Sequence, residues 1–336
     1  MSAFDRVLHA ARNKVRTVVL PEATDTRILK AASIAAQQGI AKPILLGEPE
    51  QVQQLAKSHD IDISTLSIIE PDKHPKRSEY VDAVVQKRQH RGMDTSKADT
   101  ALTDPVTFAC MMVARGDADA CVAGAINPTA HVVGNAMRYV GKSPDTALIS
   151  SCFVMLLESH HPVEEAMVIG DCALVIDPNP EELASIAIAT GQSARQFLGL
   201  TPEVAMLSFS TNGSARHAAV SKVTQATEIA RTLRPDWRIV GEVQLDAAVV
   251  PSILAVKAPM QATDSPCNVL IFPNLDAGNI GYKLIQRFGG AEAIGPILQG
   301  LSHPVNDLSR GCNVEDIVKL IAISCVQVDD QTSSAL

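Results

Sequence analysis

The chain has 336 residues, a net charge of −8, and a composition that is 46% hydrophobic and 20% charged. Those values fit a globular protein with a large core, roughly two domains long, and exclude a general nucleic-acid surface. No apolar run reaches membrane-spanning length, so no membrane-spanning helix is expected.

Aromatics make up only 3%, so the core must be built from Ala, Val, Ile and Leu, as in layered α/β proteins. In chain order, residues 1–14 are mixed and charged, and are expected to be neither signal peptide nor anchor. Arg16–Leu20 reads as a strand. A helix over 24–38 follows, with Thr24 or Asp25 as N-cap and Gly39 past its end. Strands are expected at 42–46 and 66–69, and helices at 50–59 and 76–91, the second closed by Gly92. A helix over 105–114 stops near Gly116, a strand covers 120–123, and a helix covers 128–140. This rhythm implies parallel strands covered by helices.

From about residue 147 the texture changes. Segments 146–157, 166–170 and 173–176 read as strands with no long helix between them. A long helix over 180–197 starts on Pro180 and stops before Gly199. Strand 204–209 leads to helix 215–233, and strand 269–272 to helix 279–288. The closing helix, 314–328, places Ile317, Leu320, Ile321 and Cys325 at helical spacing. Residues from 329 onward read as a frayed tail, and His160-His161 as a surface loop pair. The pattern as a whole is α/β: two three-layer αβα domains with mostly parallel sheets. One is expected over 1–147 with 300–336, the other over 148–299, with the active site in a cleft between them.

The seven cysteines include no C-x-x-C pair and lie mostly in apolar segments, as expected of buried thiols in a reducing cytoplasm. No H-E-x-x-H or clustered Cys/His set appears, so no metal site is expected. Six residues lie between Gly134 and Gly141-Lys142, where a Walker loop needs four, and no strand is followed by G-x-G-x-x-G. Instead the informative segment is Ser309-Arg310-Gly311-Cys312-Asn313-Val314-Glu315-Asp316. A hydroxyl and a guanidinium stand just before a helix whose first turn carries two carboxylates. The positive end of a helix attracts anions, so this is a place for a phosphate beside an acid–base group. Asp316 also falls at N3 of a capping box with Asn313, which is a sufficient structural reason for it. Two strand-to-helix turns share this layout: one holds Thr211 and Ser214, the latter a natural N-cap, and the other Gly278 and Asn279. Lys283 and Arg287 lie four apart on one helix face.

These motifs together resemble the phosphate acetyl/butyryltransferase family nearly end to end. The resemblance runs through Pro21-Glu22, Asp25-Thr26-Arg27-Ile28-Leu29, Gly170-Asp171-Cys172-Ala173 and the run from Val204 to Ala215. It continues through Gly241 to Ala248, Lys257-Ala258-Pro259, Gly278 to Lys283, Gln286-Arg287 and Pro304 to Gly311. Asn212 and Ser214-Ala215-Arg216-His217 are most similar to the phosphotransacetylase branch associated with ethanolamine utilisation.

The resemblance implies an isocitrate/isopropylmalate dehydrogenase-like fold and reversible acetyl transfer between acetyl phosphate and coenzyme A (CoA), with release of phosphate. CoA is then a substrate and no cofactor is needed. By position, Asp316 would take the thiol proton, Arg310 with Arg287 would hold the phosphoryl group, and Ser309 would donate a hydrogen bond near the reacting atoms. Arg88 and Arg27 match family arginines for CoA. A cytoplasmic homodimer, without nucleic-acid or membrane partners, is also implied. Thr129-Ala130-His131-Val132-Val133-Gly134 puts glycine where the family pattern has arginine, and Arg138 lies one helical turn on as a substitute. The alternatives are a propionyl- or butyryltransferase with the same chemistry, and a non-catalytic acetyl-CoA sensor.

Overall fold

The computed structural model describes residues 2–157 and 165–328, so His160-His161 and the tail from 329 lie outside the described residues. In chain order its strands are β1 (Arg16–Leu20), β2 (Ala41–Leu46), β3 (Ser67–Ile69), β4 (Ala120–Ala123), β5 (Ser150–Leu156), β6 (Ala166–Gly170), β7 (Glu203–Leu207), β8 (Arg238–Val243), β9 (Val269–Ile271), β10 (Glu292–Gln299) and β11 (Val305–Asp307). The chain divides into two compact units. Among the described residues, 7–144 and 301–328 form a split unit, and 145–157 and 165–300 with 2–6 form a central unit.

The split unit contains a five-stranded sheet in the order β11-β4-β1-β2-β3, parallel throughout. Its inner strands are apolar and buried, with β4 inaccessible at every residue. Such strands need cover on both faces. Helices Thr26–Gln37, Pro105–Ala114 and Val314–Gln327 pack on this sheet. Pro105 at the first helical position and Asp104 accepting from the Thr107 N–H start the second of these, which is buried almost throughout. The expected helix over 128–140 forms as an α-helix, Thr129–Asn135, then a π turn, Ala136–Val140, before Gly141.

The central unit has a six-stranded sheet in the order β10-β5-β6-β9-β7-β8. β5 runs antiparallel to β10 and β6, and the other pairs are parallel. Helix Pro180–Leu198 packs against this sheet. It begins with a capping box between Asn179 and Glu182 and ends on Gly199 in the left-handed conformation.

Several expectations need correction. Residues 173–176 are not a strand: the N–H groups of Ala173, Leu174 and Val175 all donate to the buried Asp171 carboxylate, so none is available to a ladder. Helix Leu275–Phe288 starts four residues before the expected 279, capped by Asn274, so Gly278 and Asn279 lie inside the helix. Helix Ala218–Leu233 is capped by His217, not Ser214. Strands β8, β10 and β11 and helices Ala3–Asn13, Thr95–Ala101, Leu245–Val249 and Pro251–Lys257 are not among the expected elements. β10 contains Gly295-Pro296 with a register shift around them, and as an edge strand it tolerates the missing donor. β11 is only Val305-Asn306-Asp307, and Asn306 is buried by pairing with Ser324 Oγ at 2.9 Å and Gln327 Oε1 at 2.8 Å.

Candidate active site

Ligands of open α/β sheets bind beyond the carboxyl ends of parallel strands. In the split unit, β1, β4 and β11 each end in a loop there. Glu22, two residues past β1 and 2% exposed, accepts from the N–H groups of Gly124 (2.9 Å), Ala125 (2.8 Å), Ile126 (3.1 Å) and Asn127 (3.0 Å). The Asn127 side-chain amide donates to it as well, at 2.8 Å. One carboxylate thus satisfies the whole loop after β4, whose donors have left the ladder.

The loop after β11 carries the predicted group. Ser309, Arg310 and Gly311 are exposed. Ser309 Oγ accepts from the Gly311 N–H at 3.3 Å, and its carbonyl from the Cys312 N–H at 2.9 Å, which closes a tight turn. Among the described residues the Arg310 guanidinium has no hydrogen-bond or ion-pair partner. The capping box forms: Asn313 Oδ1 accepts from the Asp316 N–H at 3.0 Å, and Asp316 Oδ2 from the Asn313 N–H at 2.8 Å. One Asp316 oxygen therefore serves the fold and the other is left for chemistry. An exposed guanidinium before the positive end of a helix has the charge and free donors to suit an anion.

Arg27 lies in the same place but is bonded differently. Its guanidinium donates to Asp25, to the carbonyls of Arg310 (2.9 Å) and Cys312 (2.8 Å), and to the Ala125 carbonyl (2.9 Å). The Asp25 carboxyl is held below its ordinary range against the opposing cost of its burial, chiefly by its bonds to Arg27.

Below the loop, Asp307 is fully buried. Its Oδ2 accepts from the Thr129 hydroxyl at 2.6 Å, and its Oδ1 has no partner among the described residues. Burial pushes this carboxyl up to about 7; the Thr129 bond opposes that and the Glu22 charge adds to it. Gly124 has φ +113, and a Cβ there would collide with Asp307 and the Leu308 backbone, so glycine lets the chain leaving β4 pass this close to the end of β11.

Arg88 and Arg138 also belong to this unit. Lys87 Nζ donates to the carbonyls of Tyr139 (2.6 Å) and Val140 (3.0 Å), tying helix Arg77–Arg88 to the end of the π turn. Burial raises the Tyr139 hydroxyl above its ordinary range, and the charges of Arg88 and Arg138 both oppose that rise. The Arg138 guanidinium lies across Gly134, 3.7 Å from where a Cβ would stand. The substitution of a neighbouring arginine for the missing side chain at 134 is thus geometrically available.

The central-unit candidates are mostly bonded inward. Thr211 is buried, and its hydroxyl exchanges hydrogen bonds with the Gln244 side chain (3.3 Å) and N–H (3.0 Å). Ser214 Oγ accepts from the Thr211 N–H at 3.1 Å, and buried Glu242 accepts from Ser210 Oγ (3.0 Å) and the Gly213 N–H (2.7 Å). Asn279 donates to the Cys172 carbonyl at 3.1 Å and accepts from Lys283 at 2.7 Å. A Cβ on Gly278 would collide with the Asp171 carbonyl. Arg287 is exposed near the other end of that helix, roughly 12 Å along its axis from Asn279. Reasoning from the sequence did not single out Glu22, Asp307 or Thr129. The available signal for Glu22 was an acidic residue directly after an apolar strand, a position where a buried carboxylate collects loop N–H groups.

No cluster of three or more His, Cys, Asp or Glu among the described residues is arranged to hold a metal, and no described helix is long and apolar enough to cross a membrane. The fold is that of an α/β protein with an arginine at a strand end that is unbonded among the described residues. Residues 2–325 match the model of the phosphate acetyl/butaryl transferase family, and the chain belongs to that family of acyltransferases. It is 45% identical over 328 residues to a phosphate acetyltransferase of Thermoanaerobacterium thermosaccharolyticum, covering 97% of this chain and 99% of that one. A phosphotransacetylase from Streptococcus pyogenes superposes with a TM-score of 0.91 at 41% identity, over 97% of this chain and 98% of that one. For a EutD phosphotransacetylase from Staphylococcus aureus the TM-score is 0.89 at 37% identity, over 97% and 99%.

Proposed function

We propose that the protein is a phosphate acetyltransferase, interconverting acetyl phosphate and CoA with acetyl-CoA and inorganic phosphate. The observation that carries this reading is the Arg310 guanidinium, exposed and without an internal partner among the described residues, beside Ser309 and three residues before the Asn313 cap that Asp316 closes. In this reading Asp316 accepts the proton of the CoA thiol. The thiolate attacks the acetyl carbonyl in a ternary complex, the C–S bond forms, the C–O bond to phosphorus breaks, and phosphate leaves. A free thiol has a pKa of about 8.5, so the demand on the base is modest where cations favour the thiolate. Arg310 pairs with the phosphoryl oxygens and offsets the charge that develops on them. Ser309 donates to the carbonyl oxygen or lies beside the thiol. Arg287 is the further cation assigned to the phosphoryl group, and Arg88 and Arg138 the cations assigned to CoA. Thr211, Ser214, Gly278 and Asn279 then shape the central-unit turns and contribute backbone more than side chain.

The test is acetyl-CoA formation from acetyl phosphate and CoA, with propionyl and butyryl phosphate compared at equal concentration. Asp316→Asn keeps a capping group at N3, so it should retain the wild-type melting temperature while kcat drops about 10²-fold or more. Near-wild-type turnover in that variant would remove Asp316 as the base. Binding of acetyl-CoA with no turnover by the wild type would point to a sensor instead.

A further inference from the structure

Arg27 stands among the loops assigned to catalysis, yet all five of its N–H groups are already bonded within the protein. Nε donates to Asp25 Oδ1 at 3.0 Å. Nη1 donates to the carbonyls of Arg310 (2.9 Å) and Cys312 (2.8 Å), and Nη2 to Asp25 Oδ2 (2.6 Å) and the Ala125 carbonyl (2.9 Å). A guanidinium has five donors in a fixed plane, so none remains for a ligand. Its orientation is set locally as well. Asp25 is the N-cap of helix Thr26–Gln37 and accepts from the Arg27 backbone N–H at 2.8 Å, so the residue that starts the helix also grips the side chain beside it.

The three carbonyls it holds belong to two different loops. Arg310 and Cys312 flank the exposed turn after β11, and Cys312 immediately precedes the N-cap Asn313. Ala125 belongs to the loop after β4, whose N–H groups donate to Glu22. Residues 22–27 thus carry a carboxylate that collects one loop's donors and a guanidinium that collects the acceptors of that loop and of the next. Each of these backbone groups has left its sheet and would otherwise need water.

We infer that Arg27 is a positioning residue, a latch that fixes the backbone of the Ser309–Asn313 turn, and that it does not bind a substrate phosphate. The inference rests on the reading of that turn as catalytic. Preorganisation is what the latch supplies: a turn that drifts by about 1 Å costs on the order of 10²-fold in rate, while the affinity of a distant substrate portion is unaffected.

The experiment compares Arg27→Gln and Arg27→Lys with wild type, by steady-state kinetics with acetyl phosphate and CoA and by amide hydrogen exchange. Lysine keeps the charge but cannot span three carbonyls and a carboxylate from one nitrogen. Both variants should lose about 10- to 100-fold in kcat, with the KM for CoA changed less than about twofold. Exchange should quicken at the Gly311 and Cys312 amides and stay slow at the amides of residues 124–127. A rise in the KM for CoA with kcat and exchange unchanged would overturn the inference and return Arg27 to ligand binding. A loss of kcat without quickened exchange at 311–312 would overturn it as well. Should Arg27→Gln fail to fold, Arg27→Lys and Asp25→Asn, which loosens the grip on the guanidinium, carry the same comparison. If wild type shows no acetyl transfer, the functional reading fails, while the exchange data still decide whether Arg27 holds the turn.

Discussion

The strand-end loops of the two units are built alike but presented differently. In the split unit, buried Glu22 gathers the loop after β4, and the turn after β11 is left with an exposed hydroxyl and an arginine without internal partners among the described residues. In the central unit, buried Asp171 gathers the N–H groups of residues 173–175 and Ser151, and buried Glu242 accepts from the Gly213 N–H and the Ser210 hydroxyl. There the hydroxyls of Thr211 and Ser214 and the amide of Asn279 are bonded to their neighbours. The lesson is that a hydroxyl-rich glycine turn after a strand is first of all a way to satisfy backbone. What separates a ligand-facing group from scaffold is an unmet bonding capacity at an exposed position.

Three measurements sharpen or break this contrast, from the largest effect to the smallest. Asp171→Asn keeps the shape but replaces one acceptor oxygen with a donor facing N–H groups. It should lower stability by about 2–4 kcal/mol, read from denaturant midpoints, with kcat per folded molecule little changed. A loss of kcat without a loss of stability would show that the central-unit acid is more than scaffold. Arg138→Ala, on the exposed side of the contrast, should do the reverse. Stability should stay within about 0.5 kcal/mol, and the KM for CoA should rise several-fold as a charge-assisted contact is lost. An unchanged KM would remove Arg138 as the stand-in for an arginine at 134.

The smallest effect concerns Asp307, raised to about 7 by burial, opposed by Thr129 and aided by Glu22. Its unfolded value is about 3.9. The folded state therefore binds more protons between those values, and the contribution of Asp307 to stability is lost as pH rises from about 4 to about 7. Asp307→Asn does not titrate, so its stability relative to wild type should increase between pH 5 and pH 8, measured by chemical denaturation at each. A difference that does not vary with pH would mean that Asp307 is solvated as an ordinary surface carboxylate.

Much of the fold is legible in the chain because the signals are local. The run Arg16–Leu20, the Asp25 cap, Pro180 with Gly199, and the spacing of Ile317, Leu320, Ile321 and Cys325 each declare their element without reference to anything distant. Failures fall where a tertiary partner overrides the local pattern. Residues 173–176 look like a strand until Asp171 takes their donors. β11 does not look like one, because its central Asn306 is buried only through its bonds to Ser324 and Gln327 on a helix it packs against. Of the candidate site, Ser309, Arg310 and Asp316 are readable because they fall within one short segment, 309–316, around one helix start, and the capping box predicted for Asn313 and Asp316 forms.

Taken alone, then, the sequence determined most of the long helices, several buried strands, the family resemblance and the capping box of the 309–316 segment, each carried by short runs of residues. Only the tertiary structure decided which charged groups are available. Arg27 and Arg310 are both arginines beside the same turn, yet one has every donor bonded and the other none among the described residues. That difference comes from which backbone groups the folded sheet leaves without partners at its strand ends, and no local pattern encodes it.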